Sequence, residues 1–336
     1  MMKKTGAIIC IIATLILSSL CLFGCEEKNP EPQSRVFYEY FDTVCAVSDY
    51  SGDESFDARV SEIEATLERY HKLLDIYDEY DGTVNLATLN RLAGQGWIEV
   101  EEELVEFLLY AKDVHAITGG EVNVAMGAVL SIWHEYREAG ESVPTADMLT
   151  AASEHINIDS LEIDAESKRV RITDPQTSLD AGALAKGYVA AVIRAELEAD
   201  GVSGYVLDLG GNLCVVGTKP DGSGWSTGVQ SPDGYGYAHR FTLSDASAVT
   251  SGNYERFYIV DGKLYHHIID RDSLMPAEGY SSVTVITGED ALADAFSTAL
   301  FCMSYEEGCA LLSRIPDARC VWVTDSGEVL TYGFED

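Results

Sequence analysis

The chain has 336 residues, with 22 Lys+Arg against 56 Asp+Glu and a formal net charge of −34 at pH 7. At 46% hydrophobic residues and 18 tyrosines it can bury a real core, which excludes a disordered acidic tail. A field of that sign repels phosphate backbones and anionic headgroups, excluding general nucleic-acid binding and a polybasic grip on lipid. Any anionic substrate must be met by a local cation, a helix N-terminus or a metal.

In chain order, Lys3 and Lys4 precede an apolar stretch from Ala7 to Leu22, followed by Leu22-Phe23-Gly24-Cys25. The stretch is short for a spanning helix, which needs about 20 residues. The small Gly24 before Cys25 resembles a bacterial lipobox. Residues 1–24 are therefore expected to be a lipoprotein signal peptide, with Cys25 lipidated on the extracytoplasmic face of the cell membrane; an uncleaved anchor is the alternative. Residues 25–35, polar with two prolines, read as a flexible tether, and 36–336 as one folded domain. Cys10 and Cys21 leave with the signal. Cys45, Cys214, Cys302, Cys309 and Cys320 remain, an odd set without C-x-x-C spacing, which reads as buried small hydrophobes rather than disulfides or zinc ligands.

Phe41–Val47 reads as a strand. Phe56, Val60, Ile63, Leu67, Tyr70 and Leu74 recur at three- and four-residue steps and predict a long amphipathic helix. Leu104–Ile117 is a second helix, closed by Thr118-Gly119-Gly120. A third covers Val122–Tyr136, and Thr145 caps a short fourth. Residues 156–172 alternate like strands, and Leu184–Ala199 is helical up to Gly201. Strands follow at 205–209, 213–216, 225–230, 248–251, 257–260 and 263–269, the last two joined by Asp261-Gly262, a hairpin signal. A β-branched strand at 282–287, helices at 291–303 and 305–313, and strands at 321–323 and 329–332 close the chain. Helices early and strands late predict an α+β fold, a single domain with mixed or antiparallel sheets and packed helices.

No Walker A loop, dinucleotide fingerprint, H-E-x-x-H or G-x-S-x-G is present. Three segments carry candidate chemistry. Ser178–Tyr188 is a small-residue turn opening a helix, with Asp180 and Lys186 six residues apart. A helix start there can cradle an anion, though an Asp-capped helix explains it equally. Asp294 and Thr298 lie i, i+4 on one face of an apolar helix. They offer the oxygen ligands of Mg²⁺, or a polar stripe, or a cap. Thr250–Tyr254 and Tyr265–Asp270 bring two histidines and an acid, without metal-ligand spacing. Gly210-Gly211-Asn212 is a fourth small-residue corner.

Together, in order, D-A-G-A-L-A-K-G-Y, L-G-G-N-L, T-S-G-N-Y, H-I-I-D and A-D-A-x-x-T-A-L resemble the ApbE family of FAD:protein FMN transferases. Asp42-Thr43-Val44, L-x-x-L-N-R (86–91), T-G-G-E-V-N-V (118–124) and Ile132-Trp133 extend the resemblance to nearly all of 36–330. It implies Mg²⁺-dependent cleavage of the FAD diphosphate and transfer of FMN to a Ser or Thr hydroxyl of acceptor proteins bearing D-x-x-[ST]-G-A-[ST], with release of AMP. It implies Mg²⁺ bound by Asp294, Thr298 and the Ala183 carbonyl. It also implies FAD contacts from Phe41, Tyr77, Glu121, Val122, Asn123, Asp180, Lys186 and Ile268, with Tyr80 an alternative to Tyr77. Catalysis would fall to Asp294 and to His267 as base for the acceptor hydroxyl. The alternatives are an FAD pyrophosphatase giving FMN and AMP, and a flavin-binding lipoprotein without chemistry. Two departures stand out. The family's F-D is Val122-Asn123 here, and H-I-I-D-P-x-T-G is His267-Ile-Ile-Asp-Arg-Asp-Ser-Leu274.

Overall fold

The structure is a computed structural model that describes residues 30–232 and 234–334. The expected signal segment and Cys25 lie outside the described residues. Its frame is an antiparallel sheet assembled from β1 (Gln33–Phe37), β2 (Cys45–Asp49), β6 (Tyr205–Leu209), β7 (Asn212–Val216), β10 (Ala246–Gly252), β13 (Tyr280–Thr287), β14 (Arg319–Thr324) and β15 (Val329–Tyr332), in that spatial order. β1 begins inside the expected tether. Gln33, Ser34 and Arg35 pair with Asp49, Ser48 and Val47, so any tether ends before Gln33.

Both faces of the sheet's middle are covered, which is why its strands read as nearly continuous apolar runs. One face packs on two adjacent helices, α6 (Ala185–Ala199) and α7 (Asp290–Cys302). Beyond α6 lies α1 (Phe56–Leu74), whose Phe56, Val60, Ile63, Leu67, Tyr70, Leu73 and Leu74 are buried, the stripe that the spacing predicts. α3 (Glu102–Ile117) adds Leu104, Phe107, Leu108, Ala111 and Val114 to the same core. The opposite face is covered by the hairpin β8 (Trp225–Gln230) and β9 (Tyr237–Leu243), through Trp225, Val229 and Leu243. The polar alternation of β9 hides this strand from a reading by hydrophobic period.

A smaller cluster stands apart. α4 (Gly127–Ala139) and α5 (Ala146–Ser153) pack Met126, Val129, Trp133 and Leu149 against Tyr258 and Ile269. Tyr258 belongs to a separate hairpin, β11 (Phe257–Val260) with β12 (Lys263–His266), turned at Asp261-Gly262 as predicted. Trp133 stacks on Tyr265 and its indole N–H donates to the Leu274 carbonyl at 2.9 Å. This satellite therefore fixes the loop that follows His267.

Several boundaries differ from the sequence reading. The strand expected over 41–47 starts only at Cys45, because Phe41 and Asp42 both sit at positive φ (55° and 51°), a turn rather than extended chain. The helix expected from Val122 is a 3₁₀ turn over Val124–Met126 before α4, capped by Asn123. The strand expected to reach Ile269 ends at His266. α2 (Leu86–Arg91), too short to show a period, goes unseen in the sequence. β3 (Ile98–Glu99), β5 (Arg169–Ile172) and β4 (Leu161–Asp164) pair as a small sheet in that order. The cysteines are free among the described residues, with Cys45, Cys214 and Cys320 buried.

Candidate active site

The motifs spread along the chain meet at one end of the main sheet. α6 and α7 touch where Gly187 faces Asp294. A Cβ on Gly187 would lie 2.4 Å from the Asp294 Cβ and 3.0 Å from the Asp290 carbonyl oxygen, so glycine is what lets the helices meet. Asp294 is 4% exposed, and its Oδ2 accepts the Gly187 N–H at 2.8 Å. That N–H is the helical partner of the Ala183 carbonyl, so the carbonyl is left at the helix start without its usual donor. The other oxygen, Oδ1, faces Lys186 Nζ at 3.9 Å. Asp294 thus caps α6 and keeps one oxygen in hand; cap and ligand are not exclusive readings. One turn further along α7, Thr298 Oγ1 lies 3.3 Å from Ser251 Oγ, which is also 2.8 Å from Ser297 Oγ. The T-S-G-N-Y and A-D-A-x-x-T segments are therefore neighbours.

The Ser178–Leu184 turn that precedes α6 is held in place from outside. Asn90, of the L-x-x-L-N-R segment, clamps Leu179 by donating to its carbonyl (2.9 Å) and accepting its N–H (2.6 Å). The Asp180 N–H donates to the Val124 carbonyl at 2.7 Å, and Asp180 Oδ1 accepts from the Gly182 N–H at 2.8 Å. Burial pushes the Asp180 carboxyl up, while His134, Arg256 and Arg137 pull it down. Tyr77 is 61% exposed, rests its ring 5.4 Å from His134 and feels the charges of Asp180 and Asp42. Tyr80 instead donates its hydroxyl to Asp75 at 2.7 Å and sets its ring against His71. Phe41 packs its ring edge on His71 at 5.7 Å. Thr43 lies against Gly210, where a Cβ would come within 2.1 Å of Thr43 Oγ1, joining the D-T-V and L-G-G-N segments.

His267 leaves β12 beside two arginines absent from the sequence reading. Its Nδ1 is buried without a hydrogen-bond partner. Burial, with Arg256, His266 and Arg137 adding repulsion, drives its ring down to about 3, so it is neutral at neutral pH. His266 is a structural group: its Nε2 pairs with the Ala277 carbonyl at 2.8 Å and its Nδ1 accepts the Ile268 N–H at 3.2 Å. Arg137 Nη2 lies 2.7 Å from His134 Nδ1. The i, i+3 spacing of His134 and Arg137 on α4, and the E-R pair after T-S-G-N-Y, are the signals that mark these arginines in the sequence. They supply the local positive charge that an acidic protein requires near an anion.

The departures from the family pattern have structural partners. Arg271, where the family has proline, donates Nη1 to the Gly119 carbonyl at 2.7 Å, and its Nε lies 3.4 Å from Glu121 Oε1. Gly120, at φ 94°, leaves it room: a Cβ there would be 2.0 Å from Arg271 Nη1. The arginine therefore ties the loop after His267 to the turn bearing Glu121, whose carboxyl burial pushes up. Asn123 spends its amide on structure, donating to the Ile156 carbonyl (2.8 Å) and accepting from the Ala125 N–H (2.9 Å); a carboxylate could not make the first bond. Val122 and Ile268 are buried at 3% and 4% exposure, packed in the core.

Among the described residues no group of three or more His, Cys, Asp or Glu could hold a metal. What converges at α6–α7 is one carboxylate, hydroxyls and a freed carbonyl. That donor set suits Mg²⁺, which keeps waters and substrate phosphates as its remaining ligands, and not zinc.

Comparison with known proteins agrees with this arrangement. The profile of the ApbE family matches residues 41–322. An FAD:protein FMN transferase of Treponema pallidum is 31% identical over 301 residues, covering 84% of this chain and 82% of that protein. One from Klebsiella pneumoniae is 30% identical over 284 residues, covering 84% and 86%. The crystal structure of the ApbE protein from Thermotoga maritima superimposes with a TM-score of 0.80 at 25% identity, covering 89% of this chain and 96% of that one. The apo flavinyl transferase ApbE of Pseudomonas stutzeri gives 0.76 at 27% identity, covering 91% and 96%. Mixed helices and antiparallel sheets in one domain are common to them, and the chain belongs to the ApbE family.

Proposed function

We propose that this chain is an FAD:protein FMN transferase that works with Mg²⁺. The observation that carries the reading is Asp294. It turns one carboxylate oxygen to the start of α6, so freeing the Ala183 carbonyl, and leaves the other beside Lys186, with Thr298 a turn away. A pure flavin binder has no need of that arrangement. Relatives of similar length carry the same named activity.

A divalent ion held by Asp294, Thr298 and the Ala183 carbonyl would neutralise charge on the diphosphate of FAD. Lys186 and the N–H groups of the α6 start add to that within a strongly acidic protein. Tyr77 and Phe41 offer rings to the flavin half, with Asp180, Glu121, Val122, Asn123 and Ile268 around it; Val122 and Asn123 serve through their backbone. In transfer, the bond between the FMN phosphorus and the bridging oxygen breaks and AMP leaves. A bond forms from the acceptor's Ser or Thr oxygen to that phosphorus, and the hydroxyl proton passes to His267, whose Nδ1 has no hydrogen-bond partner within the fold. The acceptor is another protein carrying D-x-x-[ST]-G-A-[ST]. We also propose attachment through lipidated Cys25 on the outer face of the membrane, a reading supported by the sequence of residues 1–25 alone. No helix among the described residues is long and apolar enough to cross a membrane.

Incubation with FAD, Mg²⁺ and a peptide bearing the acceptor motif tests the activity. A flavin-fluorescent peptide with AMP release is the expected result. FMN and AMP without labelled peptide would show a pyrophosphatase, and intact bound FAD a binder. Asp294→Ala retaining full Mg²⁺-dependent turnover would refute the metal site. Cys25→Ala should move the protein from the membrane to the soluble fraction.

A further inference from the structure

Asn212 is fully buried, yet neither its amide nitrogen nor its amide oxygen has a hydrogen-bond partner. An amide can make up to four hydrogen bonds, and buried polar groups in folded proteins are almost always paired. Two orphaned atoms on one side chain mark a place where something else is meant to sit.

The register of the sheet locates that place. In β7, Asn212 and Cys214 point to the same face, because side chains alternate along a strand. They stand opposite Val249 and Ser247 of β10. That is the face covered by α7. Ser247 Oγ donates to Asp290 Oδ1 at 2.6 Å, and Ser251 Oγ reaches Ser297 and Thr298. Running from Ser247 to Ser251 along β10 therefore parallels running from Asp290 to Thr298 along α7. Val249 is midway on the strand and Asp294 midway on the helix. Two strand residues span about 6.8 Å and four helical residues about 6 Å, so the two advance together. Asn212, opposite Val249, comes at the level of Asp294. It is also the first residue of β7, directly after the Gly210-Gly211 corner that packs on Thr43. It thus lies on the face of the sheet that α7 covers, at the level of Asp294 along that helix.

We propose that Asn212 is a positioning residue of the metal and diphosphate site. This role rests on the Mg²⁺-dependent reading above. The amide N–H is held for a diphosphate oxygen and the amide C=O for a water in the ion's hydration shell. Such outer partners orient the ion's ligands and set its affinity. An amide serves here where a carboxylate would repel the diphosphate.

The test uses Mn²⁺ alone as probe, with binding read from loss of the free-ion EPR signal on the wild-type chain and on Asn212→Leu, close in size but apolar. The expected result is a fall in ion affinity of roughly 10–100-fold. The thermal midpoint without ion should not drop, since an unpaired polar group is being replaced by an apolar one. Asn212→Ala, which leaves room for water, should lose affinity in the same range and serves if the Leu variant does not fold. Affinity within twofold of wild type in a folded variant would overturn the role. A wild-type chain that binds no Mn²⁺ would instead overturn the metal reading itself, and this role with it.

Discussion

Gly187→Ala is the sharpest test of how α6 and α7 build the site. On helix propensity alone the change should stabilise, since alanine is favoured over glycine by about 1 kcal/mol in a helix interior. Packing argues the other way. The new Cβ would stand 2.4 Å from the Asp294 Cβ, 3.0 Å from the Asp290 carbonyl oxygen and 3.3 Å from that of Ala291. Carbon pairs rest at roughly 3.5–4.0 Å, so relief needs about an ångström of movement between two packed helices. Overpacking of this kind costs about 1–3 kcal/mol, which outweighs the propensity gain. The separation should also lengthen the bond from the Gly187 N–H to Asp294, returning that N–H to the Ala183 carbonyl and loosening two of the proposed ligands at once. Urea denaturation should show a net loss of stability, and FAD turnover should need more Mg²⁺ for half-maximal rate. Gly288→Ala is the control. There the new Cβ would have nothing within 4 Å and the backbone is not left-handed, so a small change is expected. A Gly187→Ala chain as stable as wild type, with unchanged Mg²⁺ demand, would refute the close-approach argument.

Arg194→Leu should cost about 3–5 kcal/mol at neutral pH by urea melting, because it strips the buried Asp290 of its ion pair. Burial already pushes the Asp290 carboxyl up, so part of the loss should return as pH falls and that carboxyl takes a proton; a loss that does not change with pH would contradict this. His267 titrates at about 3 in the fold against roughly 6.5 for a free imidazole. Between those values only the unfolded chain binds the proton. Stability should therefore decrease as pH is lowered through that window, and His267→Gln should reduce the slope by up to about 1.4 kcal/mol per pH unit. Equal slopes would place His267 in a wetter setting. Arg271→Ala should raise the KM for FAD about tenfold with kcat little changed, as a lost charge-assisted tie to the turn bearing Glu121. A fall in kcat alone would assign Arg271 a different role.

The sequence by itself determined the longer helices and most strands. Phe56 to Leu74 and Tyr305 to Leu312 repeat with helical period, and Asp261-Gly262 can only turn a hairpin tightly, so local chemistry suffices there. It also carried the family, because five spaced motifs keep their order. What it did not carry is convergence. That Asp294 caps the helix opened by Lys186, that Asn90 clamps Leu179, and that Arg137 flanks His267 are contacts between segments roughly 90 to 130 residues apart. No period encodes them. The departure at Arg271 shows the difference most plainly. In the sequence it is a lost proline. In the fold it is a strut, because Gly120 leaves space for a guanidinium and Gly119 offers it a carbonyl. The local pattern decided which residues form each element, and the packing of those elements decided which oxygens are left free for a ligand.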